Sequence, residues 1–224
     1  TPVTETASSP VEEGQLKVHV VNNNQTLQEL VNRLSSAKVI SFDTETTSTD
    51  QVRADLVGIS LAVDGNEGWY IPVGHRVEHG TQLPIKKVIE ALREPMTNPL
   101  IPKVGHNLNY DLVMLARNGL KPSPLTFDSM IAEWLTNPTS HNLGLKNLAW
   151  VRLDLRMTEI TELIGTGRKQ ITMDMVPIEK AAPYAAMDAI SVVRLMPGLQ
   201  AELEVNSAMK LFEEIEMPLV SVIA

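Results

Sequence analysis

Acidic residues recur in this chain at spacings that can bring them together. Asp43 and Glu45 flank Thr44 at the polar end of the apolar run Val39 to Phe42. Side chains i and i+2 of a strand share a face, so Asp43 and Glu45 converge while Thr44 points to the other side. Asn107 and Asp111 are four residues apart, as are Tyr184 and Asp188, which stacks each pair on one side of a helix. Singly, each has a plain reading. Acidic residues at a strand end form turns, Asn107 caps a helix, and Tyr184 with Asp188 makes an exposed hydrogen-bonded pair.

Taken together they point to chemistry. Two like charges about 4 Å apart repel by about 4 kcal/mol at an effective dielectric near ~20, so four converging carboxylates cannot all stay ionised unaided. Two divalent ions would balance them, and oxygen ligation without Cys or His suits Mg²⁺ or Mn²⁺. Such a pair, about 3.5–4 Å apart, activates water on one side of a phosphodiester and stabilises the leaving oxygen on the other. Hydrolysis of a nucleic acid follows.

The elements that must position these groups read from the patterning. Leu16, Val18 and Val20 alternate with polar residues. A helix carrying Leu27, Leu30, Val31 and Leu34 on one face opens with Thr26 and Glu29 at capping-box spacing. Val39–Phe42, Val57–Val63 and Trp69–Val73 form an antiparallel meander, with the turn Asp64–Gly68 between the last two. Ile85, Val88, Ile89 and Leu92 mark a second helix, and Leu100–Val104 is a short strand feeding a helix over 108–118. Beyond Leu125 the chain reads as almost entirely helical. The pattern predicts an α/β protein, a mixed sheet covered by helices.

Composition narrows the function. The 224 residues carry 19 Lys and Arg against 27 Asp and Glu, a net charge of −8, so no bulk positive field holds nucleic acid. Bound cations would invert the field locally. The absence of cysteine excludes thiol nucleophiles, disulfides and Cys-ligated metals, and fits a reducing cytoplasm. No apolar stretch reaches the roughly 18 residues of a membrane span. Residues 1–15, rich in Thr, Ser, Pro and Glu, read as a linker. The chain is expected to be a piece of a longer protein, with a nuclease domain over 16–206 and a connecting segment over 207–224.

Three motifs, Phe42-Asp43-Thr44-Glu45-Thr46, Val104 to Asp111, and Tyr184-Ala-Ala-Met-Asp188, resemble those of the 3′ to 5′ exonucleases built on four acidic residues and a tyrosine. More closely, the chain is similar to the proofreading domains of bacterial family A DNA polymerases, the DNA polymerase I type. The similarity runs from Val39 to the C-terminus through Leu56–Ser60, Thr126–Met130 and Gly165–Gln170, and Ile215–Val220 matches the segment leading into a polymerase domain. The resemblance implies a ribonuclease-H-like fold with a five-stranded mixed sheet, the antiparallel meander plus parallel strands, flanked by helices. It implies a metal-dependent exonuclease releasing nucleoside monophosphates from DNA 3′ ends.

Roles follow from the same resemblance. Asp43, Glu45 and Asp188 would hold one metal, with Asp43 bridging to a second that Asp111 supports through water. Tyr184 would orient the attacking water, a task given to a histidine one residue earlier in a sister subfamily, where this chain has Pro183. Asn107 would position backbone or water near the terminal nucleotide, and Thr44 and Tyr110 are assigned to the substrate as well. Thr49 stands where the family has a leucine wedged on the terminal base, and Ile160 where it has a stacking phenylalanine. A weaker grip on the 3′ nucleotide is therefore expected. The implied partners are a frayed or single-stranded DNA 3′ end and a covalently linked polymerase, for a monomeric cytoplasmic protein at the bacterial nucleoid. The alternatives are an RNA-trimming exonuclease of the same superfamily and a silent structural domain of a polymerase.

Other signals have two readings. Arg168 and Lys169, which follow Gly165 and Gly167, read either as a backbone-phosphate clamp or as a solvated loop. His75 and His79 read as surface residues, His106 as structural, Asp128 as a helix N-cap, and Trp134 and Trp150 as core.

Overall fold

The computed structural model describes residues 16–223; the linker assigned to residues 1–15 lies outside them. Six strands form one sheet in the order β1-β4-β3-β2-β5-β6. They are β1 (Lys17–Val20), β2 (Ile40–Thr46), β3 (Leu56–Ala62), β4 (Glu67–Pro72), β5 (Lys103–Gly105) and β6 (Leu125–Asp128). The meander is present, with β2, β3 and β4 antiparallel. β1 joins β4 in parallel, and β5 and β6 extend the other edge in parallel. The expected five strands are thus six. β6 is four residues long, too short to show alternation, and its last residue caps a helix, so the sequence there reads as helical.

Alternation along the meander assigns its two faces. Phe42, Ile59, Leu61, Trp69 and Ile71 enter the main core with α1 (Asn24–Ser35) and α2 (Ile85–Thr97), which bury Leu27, Leu30, Leu34, Val88, Ile89 and Leu92. The first of these helices is capped by Asn23 rather than starting at the Thr26–Glu29 spacing. Asn23 Oδ1 accepts from the Thr26 amide, and the Thr26 hydroxyl completes the capping box.

The other face is small: Gly58, Ser60 and Ala62 on β3, Gly68 on β4. These residues let the 28-residue helix α7 (Ile178–Val205) lie close, through Ala181, Ala182, Ala185, Ala186 and Ala189. A Cβ at Gly68 would come within 2.9 Å of Ile190 and 3.0 Å of Ala186, so a side chain there would push against the helix. α3 (Leu108–Arg117), α4 (Ser129–Thr136), α5 (Leu145–Leu153) and α6 (Ile160–Ile164) complete the layers. Residues 209–223 form α8 (Met209–Leu211), a π-helical turn over Phe212–Glu216 and α9 (Met217–Ile223). Phe212 is buried against Phe127, ring centres 5.5 Å apart.

Candidate active site

β2 delivers the first two carboxylates as its pleat requires. Asp43 pairs with Ser60 and Glu45 with Gly58, on the face that meets α7. The register slips between Glu45 and Thr46, leaving Val57 as the extra residue of a bulge. Gly58 leaves room beneath Glu45 for the Tyr70 ring, since a Cβ there would fall 2.1 Å from the Tyr70 hydroxyl. That hydroxyl is 2.7 Å from His75 Nε2, and His75 Nδ1 is 2.9 Å from the Val176 carbonyl. Because the carbonyl can only accept, Nδ1 carries the proton and Nε2 accepts from Tyr70. Burial lowers the His75 pKa, which keeps the ring neutral. His75, expected at the surface, is thus a buried prop under the site. Nothing in the spacing of His75 and His79 signals this.

α7 supplies the other half. Tyr184 and Asp188 lie one turn apart, and oxygens of Asp43, Glu45 and Asp188 lie within 4.8 Å of one another. Burial raises the pKa of all three carboxyls, and mutual repulsion adds to this at Asp43 and Glu45. Opposing it is Lys146 on α5, with Nζ 2.9 Å from Asp188 Oδ1 and 4.1 Å from the centre of the Tyr184 ring. Sequence reasoning missed Lys146, which lies in no motif and is brought in by the fold alone. Burial and the same carboxylates push the Tyr184 hydroxyl well above its ordinary pKa, so it stays protonated.

Asp111 is outside the close trio. It sits in the first turn of α3, where its Oδ1 accepts from the Thr44 amide at 2.9 Å and from the Thr44 hydroxyl. Burial pushes its carboxyl up to about 7, against the pull of those two hydrogen bonds. Its charge is the nearest in effect on Asp43 after burial. Thr44, assigned to the substrate, therefore spends its hydroxyl on fixing Asp111. Asn107 adopts a left-handed conformation, φ 57°, as α3 begins. Its amide and that of Leu108 donate to Asp128, which also accepts from Met130 and Ile131; Asp128 thus caps α4 as expected and ties in the start of α3. His106 Nδ1 lies 2.8 Å from Ser129 Oγ, a structural contact.

Beside the carboxylates opens a cleft of about 840 Å³ whose walls include Thr44, Thr49, Asn107, Tyr110 and Ile160. The Tyr110 hydroxyl is held by Thr46 Oγ1 and the Ser48 carbonyl, so this side chain fixes the loop carrying Thr49. Arg168 and Lys169 stand exposed in a single turn, Gly167–Lys169, between Gly167 and Gln170, which line the cleft. A second cleft, about 660 Å³, is lined by Lys146, Trp150 and Arg156. Trp150 is 55% exposed and Trp134 46%, so neither belongs to the core as expected. α5 and α4 bury other residues, Leu148, Ala149 and Ala132, and turn their indoles outward.

The donor set fits hard divalent cations. Every candidate ligand is a carboxylate oxygen, Glu45 and Asp188 are buried and Asp43 half-buried, and the like charges need more positive charge than Lys146 alone supplies.

A mixed sheet with carboxylates on its central strand and on the helix crossing it defines a ribonuclease-H-like nuclease. Within that class the chain belongs to the 3′–5′ exonuclease family of family A DNA polymerases, whose profile matches residues 18–204. It is 44% identical over 209 residues to DNA polymerase I of Chloroflexus aurantiacus, covering 92% of this chain and 22% of that protein. To DNA polymerase I of Pseudomonas aeruginosa it is 34% identical over 223 residues, 97% of this chain and 24% of that one. The chain thus spans about a quarter or less of these relatives and corresponds to their exonuclease domain. Among solved structures, the catalytic core of RRP6 from Trypanosoma brucei superposes with a TM-score of 0.72 at 16% identity, covering 98% of this chain and 56% of that one. Brucella melitensis NrnC bound to pGG gives 0.69 at 19%, covering 93% and 91%. These two likenesses are of fold. Among the described residues no helix is long and apolar enough to cross a membrane.

Proposed function

We propose that the chain hydrolyses the terminal phosphodiester of DNA 3′ ends with two divalent ions, Mg²⁺ or Mn²⁺, as the proofreading domain over residues 16–206 of a longer DNA polymerase. Residues 207–224 would lead toward the polymerase domain. The observation that carries this reading is the trio of half-buried Asp43 with buried Glu45 and Asp188, with Tyr184 one turn from Asp188 on α7. Identity of 44% to a bacterial DNA polymerase I favours DNA over RNA; the domain would act as a monomer at the bacterial nucleoid in the cytoplasm.

Asp43, Glu45 and Asp188 would hold the first ion, and Asp43 would share the second with Asp111 acting through water. When bound, the ions supply charge for activating water and for the departing 3′ oxygen. Tyr184, protonated, orients the water by a hydrogen bond rather than removing its proton. Thr44 holds Asp111 in place. The terminal nucleotide would occupy the cleft between Thr49 and Ile160, with Asn107 and Tyr110 on its wall, and Arg168 and Lys169, in the turn beside it, would meet its phosphates. Water oxygen bonds to phosphorus and gives up a proton to solvent, the bond to the 3′ oxygen of the preceding nucleotide breaks and that oxygen takes a proton from solvent, and a nucleoside monophosphate leaves. Mispaired ends fray, so they enter this single-strand cleft at lower cost than paired ones.

The chain incubated with Mg²⁺ and a 5′-labelled oligodeoxynucleotide should give a ladder shortened from the 3′ end, and a ribo-oligonucleotide of the same sequence should be cut far more slowly. Asp43→Ala should lower the rate by at least about a thousandfold with the fold intact by circular dichroism. Equal cleavage by that variant would overturn the assignment.

A further inference from the structure

Lys146 stands where the carboxylate trio meets the second cleft, and none of the roles above uses it. Its ion pair with Asp188 is largely buried, 18% and 11% of the two side chains being exposed. It is also the cation whose charge opposes the negative field at Asp43, Glu45 and Asp188 together. A unit charge 2.9 Å from Asp188 Oδ1 must repel any divalent ion that approaches the same carboxylate, and in a buried site that repulsion is weakly screened. At the same time the ammonium holds Asp188 by a hydrogen bond and the Tyr184 ring by a cation–π contact, so it fixes both α7 side chains before an ion enters.

Resting on the reading of Asp43, Glu45 and Asp188 as metal ligands, we infer that Lys146 is a positioning residue that acts as a resident counter-ion. It holds Asp188 and Tyr184 in place and yields Asp188 Oδ1 when a divalent ion binds. Freed from Asp188, its ammonium stays at the lip of the cleft lined by Trp150, Arg156, Glu159 and Glu162, where the phosphate of a bound strand competes with the two glutamates for it. The side chain thus opposes metal entry and favours the loaded complex with substrate.

This gives opposite signs for two measurements, which a merely structural lysine would not. Lys146→Met keeps the length of the side chain and removes its charge. Titrated with Mn²⁺ alone and followed by electron paramagnetic resonance of the free ion, it should bind Mn²⁺ at least about tenfold more tightly than the parent. Its kcat on a single-stranded oligodeoxynucleotide at saturating Mn²⁺ should fall at least about tenfold. Lys146→Arg should keep the parent's Mn²⁺ affinity, and Lys146→Gln, a second uncharged variant, should move in the same direction as Lys146→Met. Mn²⁺ affinity unchanged or weakened in both uncharged variants would overturn the inference while leaving the metal reading standing. A parent that binds no Mn²⁺, or an Asp43→Ala variant that binds it equally, would overturn the metal reading and the counter-ion role with it.

Discussion

Asp111 shows how much a single residue in this site depends on its surroundings. Its carboxyl, near 3.8 in the ordinary range, is pushed up to about 7 chiefly by burial. Between those values the folded chain binds the proton that the unfolded chain has lost. The contribution to stability is therefore fully present below about pH 4 and is lost as pH rises through about 7. Asparagine at this position accepts the same two hydrogen bonds from Thr44 without acquiring charge. Without divalent ions, Asp111→Asn should match the parent near pH 4.5 and exceed it by roughly 2 kcal/mol at pH 8, measured by urea unfolding. His75 and His106, whose pKa values burial lowers, impose the opposite trend on both proteins and cancel in the difference. A gap that does not grow with pH would contradict the burial of an uncompensated carboxylate. Strand and helix periodicity alone put Asp43 with Glu45 and Tyr184 with Asp188, and the resemblance of the three motifs implied that they join in one site. Lys146 was not legible in the sequence, since it is 42 residues from Asp188 on a helix whose spacing carries no chemical signal. Nor was the Tyr70–His75 prop, because the reach of Tyr70 across Gly58 is a tertiary contact.

At the scale of elements, α5 must be anchored if Lys146 is to reach the trio, and Arg152 on the same helix does this. Its guanidinium donates to Glu133 of α4, and its NH1 and NH2 groups bind Glu202 of α7 at 2.7 and 2.9 Å. The Glu133 side chain is only 4% exposed, so losing its partner leaves a buried charge. Arg152→Met should lower the unfolding free energy by about 3 kcal/mol, seen as a lower guanidinium midpoint at unchanged slope. A loss under about 0.5 kcal/mol would show that the three helices are fastened by apolar packing alone. The meander and the first two helices were readable from their apolar periods, whereas the long helix was read only as part of a helical second half. β6 was not readable, because four residues ending in a cap carry too little pattern. The outward indoles of Trp134 and Trp150 were not readable either, because helical spacing alone does not say which face meets the core.

On the scale of the whole molecule, a chain of net charge −8 gathers three carboxylates at the crossing of β2 and α7. Small residues on one face of the sheet admit that helix, the opposite face carries the main core, and clefts open on either side of the crossing. The arrangement suits a polyanionic substrate only if cations reverse the local field. Crystals of the chain soaked in Mn²⁺ with a short single-stranded oligodeoxynucleotide, and recorded for manganese anomalous scattering, test this most directly. Manganese peaks enclosed by Asp43, Glu45 and Asp188, beside the 3′-terminal phosphate, are the expected result. Ordered carboxylates and a bound oligonucleotide with no manganese between them would contradict it.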